Sequence, residues 1–134
     1  MENLLITTEK NMLNPEYITE FLSQTYWAKD RSQETVLMCI EHSLNFGVYL
    51  DGNQIGYARV VTDYVQFAYI LDVFIDEKYR GLGYSKLLMN YLLDHEALRA
   101  IKTFRLATSD AHELYRKFGF KELSKPENMM ELFR

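Results

Sequence analysis

The sequence has 134 residues, of which 48% are hydrophobic and 25% charged, a balance typical of one globular domain. The net charge of −4 and the lack of a Lys/Arg-rich block argue against a nucleic-acid partner. No apolar run reaches the ~20 residues that a membrane-spanning helix requires. A single cysteine, Cys39, excludes an internal disulfide, and the first residues do not resemble a signal peptide. We therefore expect a cytoplasmic protein with no membrane partner.

The first third of the chain predicts one strand and two helices. Residues 4–8 form the strand candidate. Asn14 is a suitable N-cap and Pro15 suits the first helical position, so a helix is expected to begin there. Asp30 or Ser32 is expected to cap a second helix, whose apolar stripe includes Cys39.

The remaining two thirds predict strands on both sides of a long amphipathic helix. A hairpin turn is expected at 51–53, and the long helix at about 83–97, after a glycine-containing turn. The predicted strands are 46–50, 54–62, 67–75 and 103–108, then a short helix over 111–118 and a closing strand pair at 120–123 and 129–133. This order predicts an α/β (α+β) fold built on a mixed sheet.

The turn before the long helix has the composition of an anion-binding site. Its residues are Arg80-Gly81-Leu82-Gly83-Tyr84-Ser85. A helix that begins directly after a strand presents unpaired N–H groups, and its dipole attracts an anion. The two glycines allow positive φ and close approach, while Arg80 and Ser85 add a charge and a hydroxyl donor. Together these features suit a diphosphate group.

Two common phosphate-binding motifs do not match this turn. The P-loop requires four residues between its glycines and then Gly-Lys-Ser/Thr, a run that the sequence lacks. The dinucleotide motif requires a third glycine where Lys86 stands, and an acidic residue about 20 positions further on, where the sequence has Lys102-Thr103-Phe104. A helix start that binds nothing remains the alternative.

A second motif, with the turn, resembles a known superfamily. It reads Thr108-x-x-Ala111-x-x-Leu114-Tyr115-x-x-x-Gly119-Phe120. With Arg80-x-x-Gly83-x-Ser85, it resembles the two motifs of the GNAT-type (general N-acetyltransferase) superfamily. Two positions depart from the pattern, since Ser85 replaces Gly or Ala and Thr108 replaces Asn.

The resemblance implies a fold and an activity for residues 1–134 as one domain. It implies a mostly antiparallel central sheet flanked by helices and splayed at the fourth and fifth strands. Acetyl-CoA is the implied co-substrate, with no metal, and the acetyl group passes directly to a primary amine of an unidentified small molecule or peptide. A homodimer is compatible with the family analogy.

The resemblance also implies roles for particular residues. Tyr115 matches the tyrosine that donates a proton to the departing thiolate. The expected cofactor contacts are the turn itself, the backbone of the fourth strand and two positions of the second motif. These last residues are Val73, Phe74, Ile75, Thr108 and Ala111.

The general base and the acceptor site are expected on two other elements. Asp72 interrupts the apolar run of the fourth strand, which makes it the leading base candidate, with an ion pair to Arg59 or another basic residue as the alternative. The resemblance implies that the loop between the first two helices lines the acceptor side. Its residues Tyr26, Trp27 and Arg31 are expected to bind the acceptor or to pack that loop onto the core. The alternative function is a non-catalytic acyl-CoA-binding sensor on the same fold.

Overall fold

The computed structural model describes residues 3–134, which form a five-stranded sheet and four α-helices. The strands are β1 (Leu4–Thr7), β2 (Leu44–Leu50), β3 (Asn53–Thr62), β4 (Phe67–Ile75) and β5 (Thr103–Leu106). The helices are α1 (Pro15–Leu22), α2 (Gln33–Glu41), α3 (Tyr84–Asp94) and α4 (His112–Arg116). Short 3₁₀ helices lie at Lys10–Met12, Glu77–Tyr79 and Pro126–Asn128.

The strands follow their chain order across the sheet, β1-β2-β3-β4-β5. Every pair is antiparallel except β4 and β5, which are parallel because α3 crosses between them. The expected mixed, mostly antiparallel α/β fold is therefore confirmed. Helices cover two apolar clusters, one centred on α1 and α2 and the other on α3 and α4.

Pairing between β4 and β5 stops halfway along β4. It runs from Phe67 opposite Thr103 to Ile70 opposite Leu106. β4 continues to Ile75, and among residues 3–134 no strand lies beside this second half on the β5 side. The two strands therefore part and leave a gap.

A bulge in β4 accounts for this separation. Arg59 pairs with Leu71 but Tyr57 pairs with Phe74, so β4 has one residue more than β3 between these pairs. Asp72 lies in this extra stretch with φ of +53°, a left-handed conformation that Asp tolerates better than most residues. A bulge bends its strand and increases the local twist, which turns the second half of β4 away from β5.

Capping side chains fix the starts of α1 and α2 as expected. The side chain of Asn14 accepts a hydrogen bond from the Tyr17 amide at 3.0 Å. The hydroxyl of Ser32, rather than Asp30, accepts from the Thr35 amide at 3.1 Å. Both bonds satisfy amides that a helix leaves unpaired in its first turn.

The predicted closing strand pair is wrong. Residues 120–123 and 129–133 adopt no strand, and the 3₁₀ helix Pro126–Asn128 lies between them. Met130 is 94% exposed and Phe133 83% exposed, so these two side chains pack on no apolar surface within residues 3–134. A strand requires a neighbour for its backbone groups, and sequence pattern alone does not say whether one is available.

Four other elements were predicted too long. β1 ends at Thr7 rather than 8. α3 ends at Asp94 rather than 97, because His95 is extended. β5 ends at Leu106 rather than 108, and α4 spans only His112–Arg116. Gly119 has the expected positive φ of 95°, a few residues after α4. No helix within residues 3–134 has the length and apolar character to span a membrane.

Candidate active site

The gap between β4 and β5 opens into a cleft of about 350 Å³. Its walls come from the middle of β4, the loop between α1 and α2, and the segment from β5 into α4. The lining residues are Tyr26, Trp27, Tyr69, Ile70, Leu71, Asp72, Val73, Leu106, Ala107, Thr108, Ser109, Asp110, Ala111 and Tyr115. Seven residues expected at the site from the sequence thus meet in one cleft.

The glycine turn lies at the far end of β4, outside the walls of this cleft. Gly81 and Gly83 have φ of +78° and +85°, conformations that side chains other than glycine rarely adopt. Gly83 is the N-cap of α3 and makes no side-chain cap. Among residues 3–134, the backbone amides of Gly81, Gly83 and Ser85 have no protein acceptor. Unpaired amides at a helix start attract an anionic group.

Arg80 is held against the end of β4. Its Nε donates to the carbonyl oxygen of Ile75 at 3.2 Å, while the side chain stays largely exposed. The guanidinium therefore lies at the junction between the turn and the unpaired half of β4. The backbone of 71–75 connects this junction to the cleft, so the turn, the strand and the cleft form one continuous track.

Tyr115 lies at the base of the cleft, and only 8% of the residue is exposed. Burial, the nearby Asp110 charge and Tyr26 raise its pKa to about 12. Its ring packs edge-on against Phe120, with centroids 5.9 Å apart. Among residues 3–134 no group hydrogen-bonds its hydroxyl, which is therefore protonated at neutral pH and able to donate to a ligand.

Asp72 is the centre of a buried network of ion pairs. Its carboxylate accepts from Arg31 Nη1 at 2.7 Å, from Arg59 Nε at 2.8 Å and from the indole Nε1 of Trp27 at 3.0 Å. The Asp72 side chain is 1% exposed, and those of Arg31 and Arg59 are 19% and 11% exposed. The ion pair with Arg59, which the sequence left as an alternative, is present. Three donors occupy the carboxylate oxygens, an arrangement that favours a positioning role for Asp72.

The same network fixes the loop between α1 and α2. Trp27 and Arg31 both come from this loop and attach it to β4 through Asp72. Arg31 does not line the cleft, because its guanidinium points at Asp72. Tyr26 is 60% exposed, and its hydroxyl accepts from the Ser109 amide at 3.1 Å, which ties the loop to the segment before α4.

Thr108 forms the turn that leads into α4. Its hydroxyl accepts from the amides of Ala111 at 3.0 Å and Asp110 at 3.4 Å. Both bonds use the Thr108 oxygen as acceptor, so its O–H remains able to donate to a ligand in the cleft. Ala111 is the half-buried residue before α4.

Three residues with polar side chains in the cleft were not found from the sequence. Tyr69 precedes the bulge on β4, and Ser109 and Asp110 precede the motif alanine. Asp110 is exposed and lies near enough to Tyr115 to affect its pKa. Its position beside the second motif was the only available signal. In the described part of the chain, no three His, Cys, Asp or Glu side chains are grouped to hold a metal ion.

Comparison with known proteins places the fold and the motifs in one family. The model of the acetyltransferase (GNAT) family matches residues 8–120. A crystal structure of a Xanthomonas campestris pv. campestris protein assigned to the GNAT acetyltransferases is 43% identical, with a TM-score of 0.95. That likeness covers 98% of this chain and 94% of the other.

More distant proteins of similar sequence or fold are also described as acetyltransferases. The uncharacterized N-acetyltransferase ycf52 of Porphyra purpurea is 27% identical, over 99% of this chain and 78% of its own length. A Clostridium acetobutylicum acetyltransferase solved with acetyl-CoA is 16% identical, with a TM-score of 0.68 over 99% of this chain and 96% of the other, and shows a shared fold. The family model and the Xanthomonas structure together show that this chain belongs to the GNAT family of N-acetyltransferases.

Proposed function

We propose that the protein transfers an acetyl group from acetyl-CoA directly to a primary amine of a small molecule or peptide. The observation that carries the proposal is the Tyr115 hydroxyl, which lines the cleft between the parted strands and has no protein partner in the described chain. A packed aromatic side chain with a purely structural role would not require a hydroxyl at a cleft wall. The relative solved with acetyl-CoA supports the choice of co-substrate.

The glycine turn is the proposed binding site for the diphosphate of coenzyme A. Amides of Gly81, Gly83 and Ser85 would donate to phosphate oxygens, and Arg80 would add a positive charge. Ser85 is half-buried at the start of α3, where its small hydroxyl adds a further donor. These groups fit a diphosphate because they are exposed together at one helix start.

The unpaired half of β4 is the proposed binding site for the pantetheine arm. Phe74 and Ile75 pair with Tyr57 and Gly56 of β3, and within residues 3–134 no strand pairs with residues 73–75 on the β5 side. An extended amide-containing chain can add to such an edge as a strand does. This placement would bring the thioester to the cleft, within reach of Tyr115.

In the proposed transfer, Tyr115 relays a proton from the amine nitrogen to the departing sulfur. An acceptor that binds as an ammonium ion first releases one proton to water, and the neutral amine nitrogen then attacks the thioester carbonyl. A C–N bond forms and the C–S bond breaks. Tyr115 donates its proton to the departing sulfur and regains one from the nitrogen that becomes the amide. A phenol with a pKa of about 12 is a poor donor by itself. Because Tyr115 takes up the proton of the nitrogen as it donates its own to sulfur, no free phenolate forms.

The acceptor is proposed to enter between the aromatic side chains at the cleft mouth. Tyr26 and Trp27 stand edge to face with centroids 5.1 Å apart, and the exposed Asp110 carboxylate lies nearby. A carboxylate and aromatic faces suit a protonated amine. Asp72 is proposed to position Trp27 and the loop, while its role as the base stays a prediction. The single domain expected over 1–134 also stays a prediction, supported by the one sheet that contains every described strand.

An acceptor screen tests this proposal. The protein is incubated with acetyl-CoA and a panel of primary amines, and free thiol is measured alongside the acetylated product by mass spectrometry. We expect thiol release that depends on one class of amine and falls sharply in Tyr115→Phe. Saturable acetyl-CoA binding without turnover on any amine would favour the non-catalytic sensor instead.

A further inference from the structure

Among the described residues that line the cleft, the Asp110 carboxylate is the one charge without a counter-charge. Two of these residues carry a charged side chain, Asp72 and Asp110. Asp72 is neutralised by its ion pairs with Arg31 and Arg59. Asp110 is exposed, and its side chain forms no ion pair or hydrogen bond within residues 3–134. This carboxylate is therefore free to bind a cation in the cleft.

Asp110 lies beside the groups that would contact the acceptor. The Asp110 charge and Tyr26 are both close enough to Tyr115 to raise the pKa of its hydroxyl. The amide of Ser109, one residue before Asp110, donates to the Tyr26 hydroxyl at 3.1 Å. The carboxylate, an aromatic ring and the proposed proton relay therefore share one region of the cleft.

A carboxylate in this region does not favour the nitrogen that reacts. That nitrogen must lose its charge before it attacks the thioester, and an adjacent carboxylate stabilises the ammonium form and raises its pKa. Asp110 would therefore oppose attack by a nitrogen bound directly to it. It would instead favour a second nitrogen that stays protonated throughout the transfer. The exposed rings of Tyr26 and Trp27 add to this preference, because aromatic faces attract cations.

We propose that the acceptor is a small diamine, whose second nitrogen remains a cation and binds Asp110 while the first nitrogen is acetylated. The assignment rests on the proposed acetyl transfer and names the class of amine that the cleft selects. An acceptor with a carboxylate in place of the second amine would be rejected, because it would meet the like charge of Asp110. Arg31 and Arg59 do not offset this repulsion, since Asp72 already holds both guanidinium groups.

The first test compares three acceptors with similar carbon chains and different distal ends. These are 1,5-diaminopentane, pentylamine and 5-aminopentanoate, with a cation, no charge and an anion at that end. Per reactive nitrogen, we expect kcat/KM to be about fivefold higher for the diamine than for pentylamine, as one partly exposed ion pair allows, and lowest for 5-aminopentanoate. The difference should lie in KM. Thiol release measures the rates. Equal kcat/KM for all three would overturn the diamine proposal and leave acetyl transfer in place.

The second test changes the charge at position 110. Asp110→Asn should remove the preference for the diamine over pentylamine, and Asp110→Lys should favour 5-aminopentanoate. Both variants are expected to fold, because the exposed Asp110 side chain has no partner within residues 3–134. Glu113→Gln is the matched control, since Glu113 is also exposed but pairs with Arg116 and does not line the cleft. An unchanged order of acceptors in Asp110→Lys, or an equal loss of preference in Glu113→Gln, would overturn the proposal.

The third test measures acceptor binding without transfer. Trp27 is the only tryptophan of the chain and lines the cleft, so its fluorescence reports occupancy. The acceptors are titrated in the presence of coenzyme A, which carries no acetyl group. We expect the diamine to bind about fivefold more tightly than pentylamine to the wild type, and equally to Asp110→Asn. Selective binding of the diamine without any turnover would support the diamine site and contradict acetyl transfer. Equal affinities in the wild type would overturn the diamine site whatever the turnover.

Discussion

The Asp72 network and the glycine turn lie on either side of the second half of β4, and their polar groups differ in the partners they have. Around Asp72, the polar groups bond to one another, and the three donors from Trp27, Arg31 and Arg59 converge on one buried carboxylate. In the glycine turn, the amides of Gly81, Gly83 and Ser85 have no acceptor among residues 3–134. The Asp72 network therefore stabilises the shape of the cleft, whereas the glycine turn can bind a ligand.

The largest expected effect comes from Asp72→Asn, which tests the first region. Removing the charge leaves two guanidinium groups partly buried without a counter-ion, so stability should fall by about 3 kcal/mol. Asn tolerates the left-handed backbone of this position, so the lost stability results from the missing charge rather than from backbone strain. Urea unfolding measures this change in the free energy of unfolding.

Asp94→Asn is the control for that experiment. Asp94 also faces an arginine, Arg99, at 3.8 Å, but its side chain is 85% exposed. An exposed pair contributes ~0–1 kcal/mol, so this variant should unfold almost as the wild type does. If the free energy of unfolding fell equally in Asp72→Asn and Asp94→Asn, the Asp72 network would not stabilise the cleft.

Tyr115→Phe is expected to have the next largest effect, on turnover. Loss of the proton donor should lower kcat about 100-fold and leave KM for acetyl-CoA nearly unchanged. Steady-state kinetics measures both, with Tyr91→Phe, at a 39% exposed residue of α3, as the control. A kcat within twofold of the wild type would remove Tyr115 from the mechanism.

The raised pKa of Tyr115 decides how its contribution to stability changes with pH. Its pKa in the folded chain, about 12, lies above the 10.0 of a free tyrosine, so burial favours the protonated form. That contribution to stability is complete below pH 10 and is lost as pH rises towards 12. The ratio of wild-type to Tyr115→Phe turnover should therefore stay constant between about pH 7 and 9.

A smaller effect on stability, with a specific effect on binding, is expected for Gly83→Ala. An alanine at φ of +85° should cost about 1–2 kcal/mol, and it should weaken acetyl-CoA binding by about tenfold because the turn amides shift. Gly52→Ala is a matched control, since Gly52 has φ of +86° and, like Gly83, open space at its Cβ. Calorimetric titration should show normal binding by Gly52→Ala. Equal affinities in both variants would place the diphosphate elsewhere.

The smallest expected effect is that of Tyr26→Phe. It removes one exposed hydrogen bond to the Ser109 amide, worth about 1 kcal/mol. We expect KM for the amine to rise a few-fold with kcat unchanged. Tyr64→Phe, at a 53% exposed residue in the β3–β4 loop, is the control. A fall in kcat alone would place Tyr26 in the chemistry instead.

Features that depend on local patterns could be predicted from the sequence. The bounds of β4 were correct because its apolar run ends at clear turn residues on both sides. The N-caps Asn14 and Ser32 and the glycine turn follow from side-chain chemistry within a few positions. The meeting of Tyr115 with Trp27 in one cleft followed only from the family motif, since those residues are distant in the sequence.

Features that depend on distant partners could not be predicted in this way. Nothing in the sequence marks Asp72 as left-handed, because the bulge results from the register between β3 and β4. The number of donors around its carboxylate depends on where the Trp27 loop folds. The strand predicted at 129–133 was wrong, because no strand within residues 3–134 lies beside that segment.

The most direct test of the account is an amide NMR titration with acetyl-CoA. The resonances of Gly81, Gly83 and Ser85 should shift strongly, because their unpaired amides gain phosphate acceptors. The indole N–H of Trp27, the only tryptophan, should shift much less because Asp72 already holds it. Large shifts in the turn with a nearly fixed indole are the predicted result. Unshifted glycine amides at saturating acetyl-CoA would contradict the central claim that this turn binds the co-substrate.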